Sequence, residues 1–171
     1  MKKLIILCLA LPLLVAQVSF LEPQSLSTIS SNSSFIIDLD SDSDSDILFG
    51  SFSNEALYWL ENDGQGNYSQ NQINITNLNI ASIYAIDYEN DGDVDIILAC
   101  KNDDLVVLLE NDGSQNFSQV NVGNPNGPTF VTVVDLNEDG YLDIVCTSLY
   151  DNSLQWYQNN GSNEFTHNII S

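Results

Sequence analysis

From residue 82 to residue 122, four short apolar runs alternate with polar breaks: SIYAI (82–86), IILAC (96–100), LVVLLE (105–110) and NFSQVNV (116–122). The runs are built of Ile, Val, Leu, Tyr and Phe. The breaks between them (DYENDGDVD, KNDD, NDGSQ) are built of Asn, Asp and Gly, so each run reads as a strand and each break as a turn. Helix signals are nearly absent beyond residue 20. The pattern predicts an all-β chain made of short antiparallel strands.

The pattern recurs. DLDSDSDSDILFG from Asp38, DYENDGDVDIILA from Asp87 and DLNEDGYLDIVCT from Asp135 fall into register, with starts 49 and then 48 residues apart. Twenty residues after each start stand YWLENDG, VLLENDG and QWYQNNG. Ten residues further on stands an aromatic (Tyr68, Phe117, Phe165), and five beyond that an apolar residue (Ile73, Val122, Ile170). Four features aligned three times define a structural repeat. A unit of just under 50 residues with four strands predicts one blade of a β-propeller. The expected blades run about 33–75, 80–123 and 128–171, after a linker at 19–32. Trp59, Leu108 and Trp156 fall at equivalent positions and read as packing between blades.

Alone, DSDSDSD reads as a solvated acidic spacer. In register with the other two copies it reads as a metal loop. Oxygen-bearing side chains occupy positions 1, 3, 5 and 9: Asp38, Asp40, Asp42 and Asp46; Asp87, Glu89, Asp91 and Asp95; Asp135, Asn137, Asp139 and Asp143. So many acidic groups within nine residues repel one another, and a hard cation that takes six to eight oxygens removes the repulsion. Position 7 (Asp44, Asp93, Tyr141) would supply a backbone carbonyl, which is why a tyrosine is tolerated there. Position 6 is Gly92 and Gly140 in two loops, where a sharp turn with positive φ is easiest, and Ser43 in the first. The loop differs from an EF-hand. Position 12 is Phe49, Leu98 or Cys146 in place of Glu, and a strand follows in place of a helix.

D-x-D-x-D-G-x-x-D between two strands, followed by a W-Y-E-N-D-G-like segment and a phenylalanine, resembles the FG-GAP/VCBS repeat found in the blades of the integrin α-subunit propeller. The resemblance covers about residues 33–171. It implies up to three Ca²⁺ ions, one per loop, on one face of a propeller, held by the residues named above. Glu89, Asn137 and Ser43 depart from the family pattern, and the first loop keeps that pattern least well.

The first residues change the expected location. MKKLIILCLALPLLVAQVSF has two lysines before an apolar run broken by Pro12, with Ala16 placed for cleavage, which is the layout of a signal peptide over 1–18. The run is too short for a membrane anchor. The expected location is therefore secreted, extracellular or at the cell surface. Removing Lys2 and Lys3 leaves Lys101 against 24 acidic residues, a net charge of −23. That charge repels nucleic acid and anionic membranes and suits cations. Cys100 and Cys146 stand at different offsets in their repeats and read as free and buried. Sequons occur at Asn32, Asn67, Asn74, Asn116 and Asn160.

No nucleophile has a histidine partner in its own context, and the one histidine, His167, reads as a surface residue on the last strand. A carboxylate motif repeated in every blade points to architecture in place of a unique active site. The expectation is a non-catalytic module for adhesion or protein interaction, with a carbohydrate-binding or polysaccharide-degrading propeller fragment as the alternative. Its partner is then an extracellular protein or glycan. Three blades are fewer than the four to eight that close a propeller. The chain therefore predicts an incomplete or open arc, completed by self-assembly or by further C-terminal blades.

Overall fold

The computed structural model describes residues 25–75, 78–162 and 164–170; the expected signal peptide (1–18) and the first part of the linker (19–24) lie outside them. Among the described residues there is no α-helix, only a short 3₁₀ turn at Lys101–Asp103. Twelve strands form three four-stranded antiparallel sheets, each in sequential order. Blade one contains β1 (Ser33–Ile37), β2 (Asp46–Ser51), β3 (Ala56–Asn62) and β4 (Tyr68–Ile73). Blade two contains β5 (Ile80–Ile86), β6 (Asp95–Cys100), β7 (Leu105–Asn111) and β8 (Phe117–Gly123). Blade three contains β9 (Pro128–Val134), β10 (Asp143–Ser148), β11 (Ser153–Asn159) and β12 (Phe165–Ile169). The first strands of successive blades, β1, β5 and β9, lie against one another, so the sheets are arranged as blades around an axis.

Hydrophobic patterning follows from how many faces each blade has covered. All six residues of β6 and the run Val106–Leu109 of β7 are buried, because blade two is sandwiched on both faces. In β10 and β11 buried and half-buried residues alternate over much of their length, because only one face of blade three is covered. One core lies between blades one and two (Leu39, Leu48, Leu57, Trp59 against Ile83, Ile96, Leu98, Leu109). A second lies between blades two and three (Tyr88, Ile97, Val106, Leu108 against Val131, Ile144, Cys146, Tyr157). A third cluster, Phe49, Ala56, Tyr58 and Leu60, lies on the outer side of blade one, with Ile29 packed on it. Trp59 and Leu108 thus fill the space between blades as expected. Trp156 lies on the half-covered side of blade three, which no other blade covers among the described residues. Cys100 and Cys146 are buried and free.

Polar contacts repeat between blades as well. Glu55, in the left-handed conformation at the β2–β3 hairpin (φ 51°), holds the connector entering blade two. Its carbonyl accepts from Leu78 N at 3.1 Å, and its carboxylate accepts from Asn79 Nδ2 at 3.0 Å. Asp104 (φ 52°) does the same for blade three, accepting from Gly127 N at 2.8 Å. The expected KNDD turn is therefore a 3₁₀ turn closed by a left-handed aspartate that also ties two blades together.

Candidate metal loops

Each acidic loop links the first and second strands of its blade, and all three share one hydrogen-bond scaffold. The position 1 aspartate straddles the turn. Asp38 accepts from Asp42 N (3.1 Å) and Ser43 N (2.9 Å), Asp87 from Asp91 N (3.0 Å) and Gly92 N (3.1 Å), and Asp135 from Asp139 N (3.1 Å) and Gly140 N (2.9 Å). The position 5 aspartates, Asp42, Asp91 and Asp139, each accept from the position 7 amide at 2.9 Å. These bonds curl the chain of all three loops into the same turn, but among the described residues only the first loop draws three acidic side chains together. In the first loop one ligand oxygen each from Asp38, Asp40 and Asp42 lies within 4.8 Å of the others. Position 6 has φ of +100° at Gly92, +91° at Gly140 and +80° at Ser43, so the serine adopts the left-handed turn that glycine takes elsewhere.

The position 9 aspartates, Asp46, Asp95 and Asp143, are fully buried. Each uses both oxygens. One accepts from the position 2 amide (Leu39, Tyr88, Leu136; 2.9–3.1 Å). The other accepts from the amide of Asn62, Asn111 or Asn159 (2.8–2.9 Å). The side chains of those asparagines in turn donate to the position 8 carbonyls of Ser45, Val94 and Leu142 (3.1–3.3 Å). Each carboxylate oxygen keeps a second lone pair, so this bracing is compatible with ligation.

Position 7 shows its side chain elsewhere. Asp44, Asp93 and Tyr141 lie over Gly64, Gly113 and Gly161, where a Cβ would collide with them. The asparagine and glycine of the ENDG-like segment are thus parts of the loop's support. Sequence comparison marks them as repeat features without showing what they hold. The signal was their fixed distance, 24 residues from the first aspartate to the asparagine.

The three loops differ in electrostatics. Desolvation foremost, then the charge of Asp46, raises the Asp40 carboxyl above its ordinary value. In the second loop Glu89 is long enough to hydrogen-bond Asp95. Desolvation, followed by the Asp95 charge, pushes its carboxyl up to about 7. In the third loop neutral Asn137 donates to Asp139 Oδ2 at 2.7 Å, which replaces a repulsion by a bond. A cleft of about 620 Å³ separates the second and third loops, lined by Glu89, Asn90, Tyr141 and Asn159 among others. Tyr88 spans its base by donating from its hydroxyl to the Leu142 carbonyl at 2.6 Å.

The family model of the FG-GAP-like repeat matches residues 38–98 and 87–146, which together span more than half of the chain. The chain belongs to the FG-GAP-like repeat family. Each match begins on the first aspartate of a loop and ends in the second strand of the following blade, so the unit that the family describes includes both the loop and its support. No curated protein matches the chain. Among solved structures the chain is similar to an Agrocybe aegerita lectin, described for its specific recognition of non-reducing terminal N-acetylglucosamine. The identity is 19% and the TM-score 0.58, over 84% of this chain and 40% of that one. This likeness shows the fold, and the chain spans about two-fifths of the lectin's length.

Proposed function

We propose that these FG-GAP-like repeats form an exported, calcium-binding, non-catalytic module for adhesion or protein interaction. The observation that carries the reading is one braced acidic loop built three times over, with the carboxylates of Asp38, Asp40 and Asp42 drawn within 4.8 Å of one another. Side chains at positions 1, 3, 5 and 9 and the carbonyl at position 7 would hold the ion, up to three in all. The donor set is all oxygen, carboxylate-rich and flexible, which suits calcium over magnesium. A bound cation supplies the positive charge that lets these carboxylates stay ionised side by side.

The surroundings of His167 support a non-catalytic reading. Its Nε2 lies 2.6 Å from Gln155 Oε1 and its ring stacks on Tyr157, while the Ser148 hydroxyl donates to Asp151 at 2.6 Å. Histidine and serine thus have no direct bond to each other and are linked only through Asp151 and Gln155, whose amide donates to Asp151 at 3.0 Å. Glycan binding is the second reading. The exposed ring of Tyr141 beside amide and carboxylate groups in the cleft between loops favours it, as does the lectin with the same fold.

Thermal unfolding in calcium against chelator tests the metal reading. At a calcium concentration 100 times the dissociation constant, one site stabilises the fold by about 2.7 kcal/mol. A rise in melting temperature with calcium, reduced by Asp87→Asn, is the expected result; identical melting in millimolar calcium and in chelator would refute it. A glycan array then separates the two interaction readings.

A further inference from the structure

Successive blades meet through a fixed pair of faces. Each blade presents a trailing face to the blade that follows it. In blade one it is Ile37, Leu39, Leu48, Leu57 and Trp59, covered by blade two. In blade two it is Ile86, Tyr88, Ile97, Val106 and Leu108, covered by blade three. The same positions in blade three are Val134, Leu136, Val145, Leu154 and Trp156. They have kept their apolar character, yet Val134 is 42% exposed and Leu136 44%, where Leu39 is 1% exposed. The polar hook is repeated too. Asn152, left-handed with φ 51° like Glu55 and Asp104, holds no connector among the described residues.

Blade one carries the complementary leading face. Ile29 packs on Phe49, Tyr58 and Leu60. It stands 49 residues before Leu78, which packs into the core between blades one and two. Ile36, the counterpart of buried Ala85, is 67% exposed on that face.

We propose that the trailing face of blade three is the seat for blade one of a second copy of this chain, and that two copies close head to tail into a ring of six blades. The interface continues one that the molecule already makes twice. Residues Ile29 and Ser30 of the second copy would meet Asn152 as Leu78 and Asn79 meet Glu55. Six blades lie within the range that closes a propeller, and a two-fold ring satisfies both open ends with two identical contacts. This inference does not rest on metal binding, although ions in the loops would ease repulsion between copies.

Light scattering on the purified protein at about 0.15 M salt, where charges beyond about 8 Å are screened, tests it. The expected mass is twice that of the chain. Val134→Asp and Ile36→Asp, each at an exposed position, should each give monomers with native circular dichroism; Trp156→Ala serves as a second trailing-face variant. An equimolar mixture of Val134→Asp and Ile36→Asp should regain dimers, because the intact trailing face of one can take the intact leading face of the other. A monomeric unmodified protein would overturn the ring. So would a dimer that Val134→Asp breaks and Ile36→Asp spares, since that pattern marks trailing face against trailing face.

Discussion

A buried carboxylate is costly unless its oxygens are paired, and Asp46, Asp95 and Asp143 offset the cost in part by taking two backbone amides each, although desolvation still raises the Asp95 carboxyl. Asp143→Asn should therefore be poorly tolerated. An amide has one acceptor and one donor, so one of the two amides loses its partner in the interior. The expected loss is about 2 kcal/mol or more, a fall in melting temperature of roughly 4–8 °C. It should appear in chelator as well as in calcium, which separates bracing from ligation. Ser43 predicts a gain. Its φ of +80° strains a side chain, so Ser43→Gly should stabilise by about 0.5–1 kcal/mol. Neighbouring Ser45 has no positive φ, and Ser45→Gly should not stabilise. Burial pushes the thiols of Cys100 and Cys146 up to about 12. Their thiolate fraction at pH 8 is on the order of 10⁻⁴, so a thiol reagent should label them only after unfolding.

At the scale of the element, loop and turn act as one unit. The position of the loop was legible in the sequence, because its alternating carboxylates recur at a fixed register between two apolar runs. Its support was not. Asn111 lies 16 residues from Asp95, and nothing local in ENDG says which carboxylate its amide will meet; only the pairing of β6 with β7 brings them together. The side-chain direction of Asp44, Asp93 and Tyr141 was hidden for the same reason, since it depends on the turn between the third and fourth strands, which the meander returns to the same end of the blade. Glu89 predicts a pH effect belonging to this unit. Its carboxyl, ordinarily near 4.5, titrates near 7 beside Asp95. The folded state thus favours the protonated acid, a contribution fully present below pH 4.5 and lost as pH rises through 7. In chelator, melting temperature should decline between pH 5 and pH 8, and Glu89→Gln should flatten that decline. An equally steep decline in the variant would assign the effect to other carboxylates.

For the whole molecule, the repeat spacing made the blade count and strand order legible, while the unequal burial of the blades was not. The β10 sequence DIVCTS differs little from DIILAC of β6, yet one has an uncovered face and the other does not, because burial depends on neighbours and not on the strand. Charge is the other property at this scale. With one lysine against 24 acidic residues, the chain beyond residue 18 carries −23, and three divalent ions would leave −17. Bound calcium would thus relieve repulsion inside the loops and leave most of the long-range repulsion in place. Sodium chloride acts in the opposite way. Raising it from about 0.01 to about 0.15 M shortens the screening length from about 30 to about 8 Å. That weakens repulsion between blades but not among carboxylates within 4.8 Å in one loop. In chelator, this salt increase should raise the melting temperature without reaching the value in millimolar calcium at low salt. In saturating calcium, salt should still stabilise, by a smaller amount. If salt alone reproduced the full calcium shift, the loops would be acting as diffuse charge, and coordination by Asp38, Asp87, Asp135 and their neighbours would be ruled out as its source.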